Sequence, residues 1–275
     1  MALDQEKNQP VEETEMSFFD HIDALRGHLF RSALAILIFG VTAFVNKHLL
    51  FDIIIFGPTK IDFITYRAFC KFSYFIAGND QYCIKDMGFT LKNITMSGQF
   101  TQHIFVAFIA GLVLAFPYII FELWRFVKPA LSTKEKTYAK GVVFFVSILF
   151  FIGVLFGYFL LAPLSVNFLG SYRVSDAVSN EVNIESYISF VSTLTLATGL
   201  VFELPMLVYF LTKIGLITSK WMGKNRKYAI VVILLLAGIL TPSPDVASQI
   251  MMFIPLYGLY EISIYVAKSV EKNKT

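Results

Sequence analysis

Glu203 stands inside the apolar run 188–211, with Gly199 four residues before it and Pro205 two after. A carboxylate near the centre of a bilayer costs about 3 kcal/mol on insertion scales, so such a residue faces a bundle interior or a wet cavity. Ser192, Thr195, Gly199 and Glu203 are spaced 3, 4 and 4, which sets them along one face of a helix. That stripe has two readings: small-residue packing with a hydrogen-bonded acid, or a polar groove. Pro205 frees the carbonyl of Val201 and adds a polar group at the same depth. Other acids cluster where apolar runs begin or end. Ser17 and Asp20 have the spacing of a capping box, and Phe18, Ile22, Leu25 and Leu29 fall on one helical face. Residues 17–29, with Asp20, Asp23 and Arg26, therefore read as an amphipathic helix at the membrane surface that runs into the first span. Ser132 and Glu135 repeat the capping spacing. A carboxylate there keeps spare lone pairs, so Glu135 is also placed to receive a guanidinium fork. Glu122, beside Trp124, reads as a snorkelling acid, and Glu261 as another acid near the same rim.

Composition explains what must hold these groups. Hydrophobic residues make up 56% of the 275, charged residues 16%, and mean hydropathy is +0.65. Soluble domains average about 25% charged, so this is an integral membrane protein. A net charge of +3 gives no nucleic-acid signal. Residues 1–16 are polar and acidic, lack the basic and apolar regions of a cleaved signal peptide, and read as a disordered tail.

Apolar runs lie at 29–44, 104–121, 142–161, 188–211, 228–240 and 246–266. A span needs about 20 residues. The first four suffice with their flanks. The fifth is about 20 Å long between Lys227 and Pro242, and the sixth is interrupted by Pro255 and Glu261. Those two read as a hairpin that crosses and returns, its turn running from Thr241 to Asp245, with basic residues at both ends. The expected fold is all-α with six spans, the fifth and sixth short. With the N-terminus inside, most basic residues fall on the cytoplasmic side: Arg125, Lys128, Lys134, Lys136 and Lys140 after the second span, and Lys213 to Lys227 after the fourth. Both termini are then cytoplasmic. The domain plan is a tail over 1–16, a membrane domain over 17–268 and a second tail over 269–275. Residues 49–97 are too long for a plain connector and predict a cap on the outer face. They hold the only cysteines, Cys70 and Cys83, a candidate disulfide in an exported compartment.

Several chemistries lack their signatures. There is no GxxxxGK[ST] loop, no HExxH or paired Cys/His metal spacing, and no GxSxG elbow. The expectation is a protein that is not an enzyme and holds no cofactor.

Four segments in order carry a resemblance: Asp20-His-Ile-Asp-Ala-Leu-Arg26; Phe126-Val-Lys-Pro-Ala-Leu131 followed by Glu135; Phe202-Glu-Leu-Pro205; and Leu240-Thr-Pro-Ser-Pro-Asp-Val-Ala-Ser-Gln249. Pro58 and Pro117 accompany them. From about residue 16 to 268 the chain resembles the TatC family, the core subunit of the twin-arginine protein translocase. The resemblance implies a receptor in the inner membrane for the twin-arginine signal peptides of folded proteins. It implies association with single-span TatA/TatB-type partners and transport driven by the proton-motive force. Glu135 then maps onto the arginine-binding acid of the second loop, with Arg26 and Phe126 in the flanking motifs. Glu203 maps onto the groove acid, with Ser192 and Thr195 beside it, and Asp245 and Gln249 onto the outer hairpin. One position departs: the family has His-x-x-Glu-Leu-Arg, and here the glutamate is Ala24. Asp23 points about 100° away from Ala24, and Asp20 lies one turn earlier on the same side. Asp20 or Asp23 is expected to replace the missing acid. The alternative reading is an ion-coupled small-molecule transporter centred on Glu203; it asks for more midplane polar groups and an internal repeat. A purely structural scaffold is a third.

Overall fold

The computed structural model describes residues 18–79, 83–84, 86–127, 139–175, 177, 179–240 and 246–272. The tail over 1–16, Glu135 and Asp245 lie outside them. Long apolar stretches with few Gly or Pro breaks form helices because lipid offers their backbone no other hydrogen-bond partner. The first, α1 (Phe18–Val45), is one unbroken rod. It is followed by a π-type turn (Leu49–Ile55), α2 (Ile64–Ala77) and strand β1 (Phe89–Lys92). α3 (Gly98–Val127) carries Pro117 within it. α4 (Ala139–Phe156) continues through a π-type turn (Gly157–Leu161) into α5 (Ala162–Ser171). After β2 (Asn180–Asn183) come α6 (Ile184–Val201), α7 (Leu204–Lys213) and the short α8 (Ser219–Lys224). α9 (Arg226–Leu240) and α10 (Val246–Lys272) complete the order.

Among the described residues, four stretches are long and apolar enough to cross a membrane: Ile22–Val45, Gly98–Val127, Gly141–Ser171 and Ile184–Lys213. These correspond to the first four apolar runs of the sequence. α9 has 15 residues, about 22 Å of helix. α10 is not interrupted: it runs 27 residues through Pro255, which costs one ladder bond without ending the helix.

Two features depart from the expected all-α plan. β1 and β2 pair in parallel, Phe89 opposite Asn180 through Lys92 opposite Asn183, and Lys92 Nζ meets Glu181 Oε1 at 2.5 Å. Four-residue strands reading FTLK and NEVN carry too little β-pattern to announce themselves. The fourth span also breaks. Its ladder closes with Phe202 N–H on Thr198 O and Glu203 N–H on Leu200 O, and a new helix opens with Met206 and Leu207 both donating to Glu203 O. Pro205 occupies the first turn of α7, where its missing N–H costs nothing.

The bundle is fastened by close backbone approaches. A Cβ on Gly111 of α3 would lie 2.6 Å from Ile36 O and 2.7 Å from Gly40 N of α1. A side chain at 111 would hold the two helices further apart, so the approach requires glycine there. On the other side of the bundle Phe116 of α3 stacks on Phe150 of α4 at 3.6 Å, and Phe150 is fully buried.

The segment between the first two long helices folds as a cap over one end. Tyr66 of α2 is buried, and its hydroxyl sits 2.8 Å from Pro58 O and 2.9 Å from Pro163 O. One proton serves two acceptors, and burial pushes the phenol pKa up from its ordinary value. Tyr187 of α6 donates to Ile55 O at 2.7 Å. Cys70 and Cys83 are bonded sulfur to sulfur across the cap, their Cα atoms 4.4 Å apart.

Candidate functional site

The start of α1 and the end of α3 form the opposite rim of the bundle. Phe18 to Leu29 opens α1, and Asp23 and Arg26 are exposed there, with Ala24 half-buried. Asp20 lies in the first turn of the helix. Against this end of α1 lies Glu122, which the sequence reads as a snorkelling acid, and here the structure differs most. Glu122 is buried, with 1% of its side chain exposed, and does not snorkel. His28 Nδ1 lies 2.5 Å from its Oε2, Arg31 Nε donates to the same oxygen at 3.0 Å, and Arg125 Nη1 donates to Oε1 at 3.2 Å. An acid this close to the end of a long apolar helix would reach for water if left alone. Two guanidiniums and an imidazole hold it inward instead, which is the condition under which a buried carboxylate is stable. Phe126 packs edge-on against His28 at 6.0 Å, so the Phe126 motif and the α1 motif meet through this cluster.

The groove lies between α1, α3, α4 and α6. It measures about 430 Å³, and its walls include Thr42 of α1 and Asn46 just after it, Ala110 and Leu114 of α3, Leu155 of α4, and Ser192 and Thr195 of α6. The Ser192 and Thr195 hydroxyls are buried and make no hydrogen bond among the described residues. The other polar side chains of the groove, Thr42, Asn46 and Tyr158, are bonded to backbone carbonyls, so the groove holds two unspent hydroxyls, which invites a polar group from outside the chain.

Glu203 does not join that wall. Eight residues past Thr195, it lies about 12 Å further along the helix axis, at the α6–α7 break. Between them Gly199 is covered: a Cβ there would lie 2.7 Å from Val154 Cγ2 and 2.9 Å from the Phe150 ring. The stripe 192–195–199–203 is therefore two polar places separated by the Phe150 ring, not one. The reason is packing of α4 onto α6, which periodicity within one helix cannot report. Both Glu203 carboxylate oxygens are buried and without a hydrogen-bond partner among the described residues, and so is Trp124 Nε1 of α3. Trp124 packs against Phe210 of α7 at 5.7 Å, two turns beyond Glu203. Glu203→Leu is accordingly expected to stabilise the isolated chain by about 1–2 kcal/mol, because it removes two unsatisfied buried oxygens. Thermal unfolding in detergent reads this, and a lowered midpoint would show that the acid is satisfied in the resting chain.

The last helices carry their own lock. Arg226 grips Glu261 bidentately, Nε to Oε1 at 2.8 Å and Nη2 to Oε2 at 2.9 Å, with Tyr257 donating to the same carboxylate at 2.9 Å. Gln249 uses its amide on Leu234 O at 2.9 Å, across from α10 to α9.

The comparisons with known proteins fall into line with this arrangement. The family model described as TatC, Sec-independent protein translocase protein, matches residues 20–255. The Sec-independent protein translocase protein TatC of Blattabacterium sp. subsp. Periplaneta americana is 41% identical over 264 residues, 96% of this chain and 99% of that one. The protein of the same name from Carboxydothermus hydrogenoformans is 33% identical, again over 264 residues, with 96% and 98% covered. A crystal structure of the twin arginine translocase receptor TatC superposes with a TM-score of 0.68 at 31% identity, covering 91% of this chain and 99% of the other. The chain belongs to the TatC family of Sec-independent protein translocase proteins.

Proposed function

We propose that this chain is the signal-peptide receptor and core subunit of a twin-arginine translocase in the inner membrane. It has six spans, α9 and α10 supplying the short fifth and sixth, and both termini face the cytoplasm. Its N-terminal turns lie as an amphipathic helix at the membrane surface. The observation that carries this reading is the superposition on the receptor TatC over 91% of the chain at 31% identity. Twin arginines bind at the rim. Glu135 is the main ligand, because a carboxylate accepts a guanidinium fork with two parallel hydrogen bonds. Asp20 or Asp23 supplies the second charge in place of Ala24, and Asp23 is exposed to do so. Arg26 and Phe126 flank the site, with Phe126 set by its contact with His28.

The groove is the seat for a TatA/TatB-type single-span partner, whose polar group meets Ser192 and Thr195 or, deeper, Glu203. Asp245 and Gln249 shape the outer hairpin, and the Cys70–Cys83 bridge stiffens the cap on the oxidising side. The proton-motive force drives transport, and the component itself is not an enzyme. The transporter reading is weaker, since Glu203 and the two hydroxyls do not converge on one cavity.

Membranes containing only this chain should retain a twin-arginine precursor over its Lys-Lys variant. Glu135→Ala should weaken that binding roughly 10- to 100-fold, the worth of a charge-assisted pair. Asp20→Asn with Asp23→Asn should weaken it further. Equal retention of the two precursors would sink the receptor reading, whereas loss with Glu135→Ala alone would place the whole arginine site in the second loop.

A further inference from the structure

Arg31 and Arg125 spend only part of their hydrogen-bonding capacity on Glu122. Arg31 gives Nε, and Arg125 gives Nη1. His28 Nδ1, at 2.5 Å from the carboxylate, must carry the proton of that contact. Its 3.0 Å approach to Arg31 Nη2 is then a meeting of two donors, not a bond. Both terminal nitrogens of Arg31 remain unspent, as do Nε and Nη2 of Arg125, among the described residues. The carboxylate is buried while the two guanidinium side chains are 44% and 51% exposed. Two guanidiniums against one carboxylate leave the cluster net positive. A buried acid thus holds two outward-facing forks in place, and holding them removes much of the entropy that a free arginine loses on binding.

The surface leading to the forks is apolar. On α3, Leu114, Tyr118, Phe121 and Arg125 fall on one stripe, and the first three are exposed. On α1, Leu34 and Ile38 follow Arg31 at helical spacing and are exposed too. Arg125 lies over the Phe121 ring at 5.7 Å. Two apolar stripes of membrane helices that end at a pair of guanidiniums match a molecule with an anionic head and hydrocarbon tails.

We propose that Arg31 and Arg125 bind the phosphate of an anionic phospholipid, whose acyl chains run along Leu34, Ile38, Leu114 and Tyr118. A phosphodiester presents two non-bridging oxygens, which two guanidinium forks accept better than two ammonium groups would. The same chemistry would accept free phosphate, but only a lipid uses the apolar stripes. The site does not depend on which side of the membrane the rim faces.

The test is native mass spectrometry of the full chain in mild detergent carrying equal phosphatidylglycerol and phosphatidylcholine. The wild type should retain phosphatidylglycerol preferentially, and Arg31→Gln with Arg125→Gln should lower that preference roughly tenfold. Arg125→Gln alone, which leaves Arg31 and His28 on Glu122, should lower it in part if the double variant does not fold. Lys220→Gln with Lys268→Gln removes the same charge elsewhere and should leave the preference unchanged. An equal loss in the lysine pair would reduce the effect to general attraction and overturn the proposal. Retention unaffected by the arginine pair would do the same. Displacement of the lipid by millimolar inorganic phosphate would assign the forks to the free ion. Unchanged lipid with lost capture of a twin-arginine precursor would assign them to a protein contact.

Discussion

Glu122→Ala is expected to destabilise the folded chain by about 2–4 kcal/mol. The carboxylate is the common acceptor of His28, Arg31 and Arg125, so alanine leaves three nitrogen donors facing a void. Breaking a fully buried charge pair costs about 3–5 kcal/mol. The expected loss is somewhat smaller because both arginine side chains are half-exposed and can turn to water. His28 has less freedom, with 15% of its side chain exposed. Glu122→Gln keeps an acceptor oxygen and the volume, and should lose about half as much. The thermal midpoint in detergent separates the three proteins. A double-mutant cycle of Glu122→Gln with Arg31→Gln isolates the pair, and a coupling near zero would mean that α1 is held by packing alone.

Packing is the second fastening of α1, and Gly111→Val should break it. The new Cβ would meet Ile36 O at 2.6 Å, Gly40 N at 2.7 Å and Gly40 Cα at 2.8 Å. All three are backbone atoms, so nothing can swing aside, and α1 must move away from α3 as a whole. Overpacking of this kind costs about 1–3 kcal/mol in ordinary cores. Here the loss should reach or exceed the upper end, because lipid tails solvate the separated faces and no hydrophobic term pulls them back. Gly258→Ala is the matching control, since a Cβ there meets nothing within 4 Å. It should be neutral or slightly stabilising through helix propensity. Equal thermal midpoints for the two variants would mean that the α1–α3 contact tolerates separation.

What could be read from the sequence was what a single helix carries. The four long apolar runs returned as helices long enough to cross a membrane, since lipid leaves an apolar backbone no alternative. Pro205 marked the right place in the fourth run, where the helix is interrupted at Phe202 and Glu203. The stripe Ser192–Thr195–Gly199 holds within α6, but Glu203 lies past its end and Phe150 of α4 closes over Gly199 between them, so the four do not line one cavity. Glu122 was misread for the same reason: its partners His28 and Arg31 are 94 and 91 residues away. Spacing did offer a hint, since His28 and Arg31, and Glu122 and Arg125, are each three apart at opposite ends of two apolar runs. The β pair had no signal in either strand alone. Glu135 and Asp245, the residues with the clearest motif warrant, lie outside the described residues.

That β pair acts as a parity check on insertion. Phe89 and Asn180 are neighbours, yet all of α3, α4 and α5 lies between them in the chain. Two strands can meet at one end of the bundle only if the intervening chain crosses the membrane an even number of times. A molecule in which either crossing failed would strand β2 on the far side, leaving four residues of β1 with an open edge and Lys92 without Glu181. The pair can close only on a correctly threaded chain.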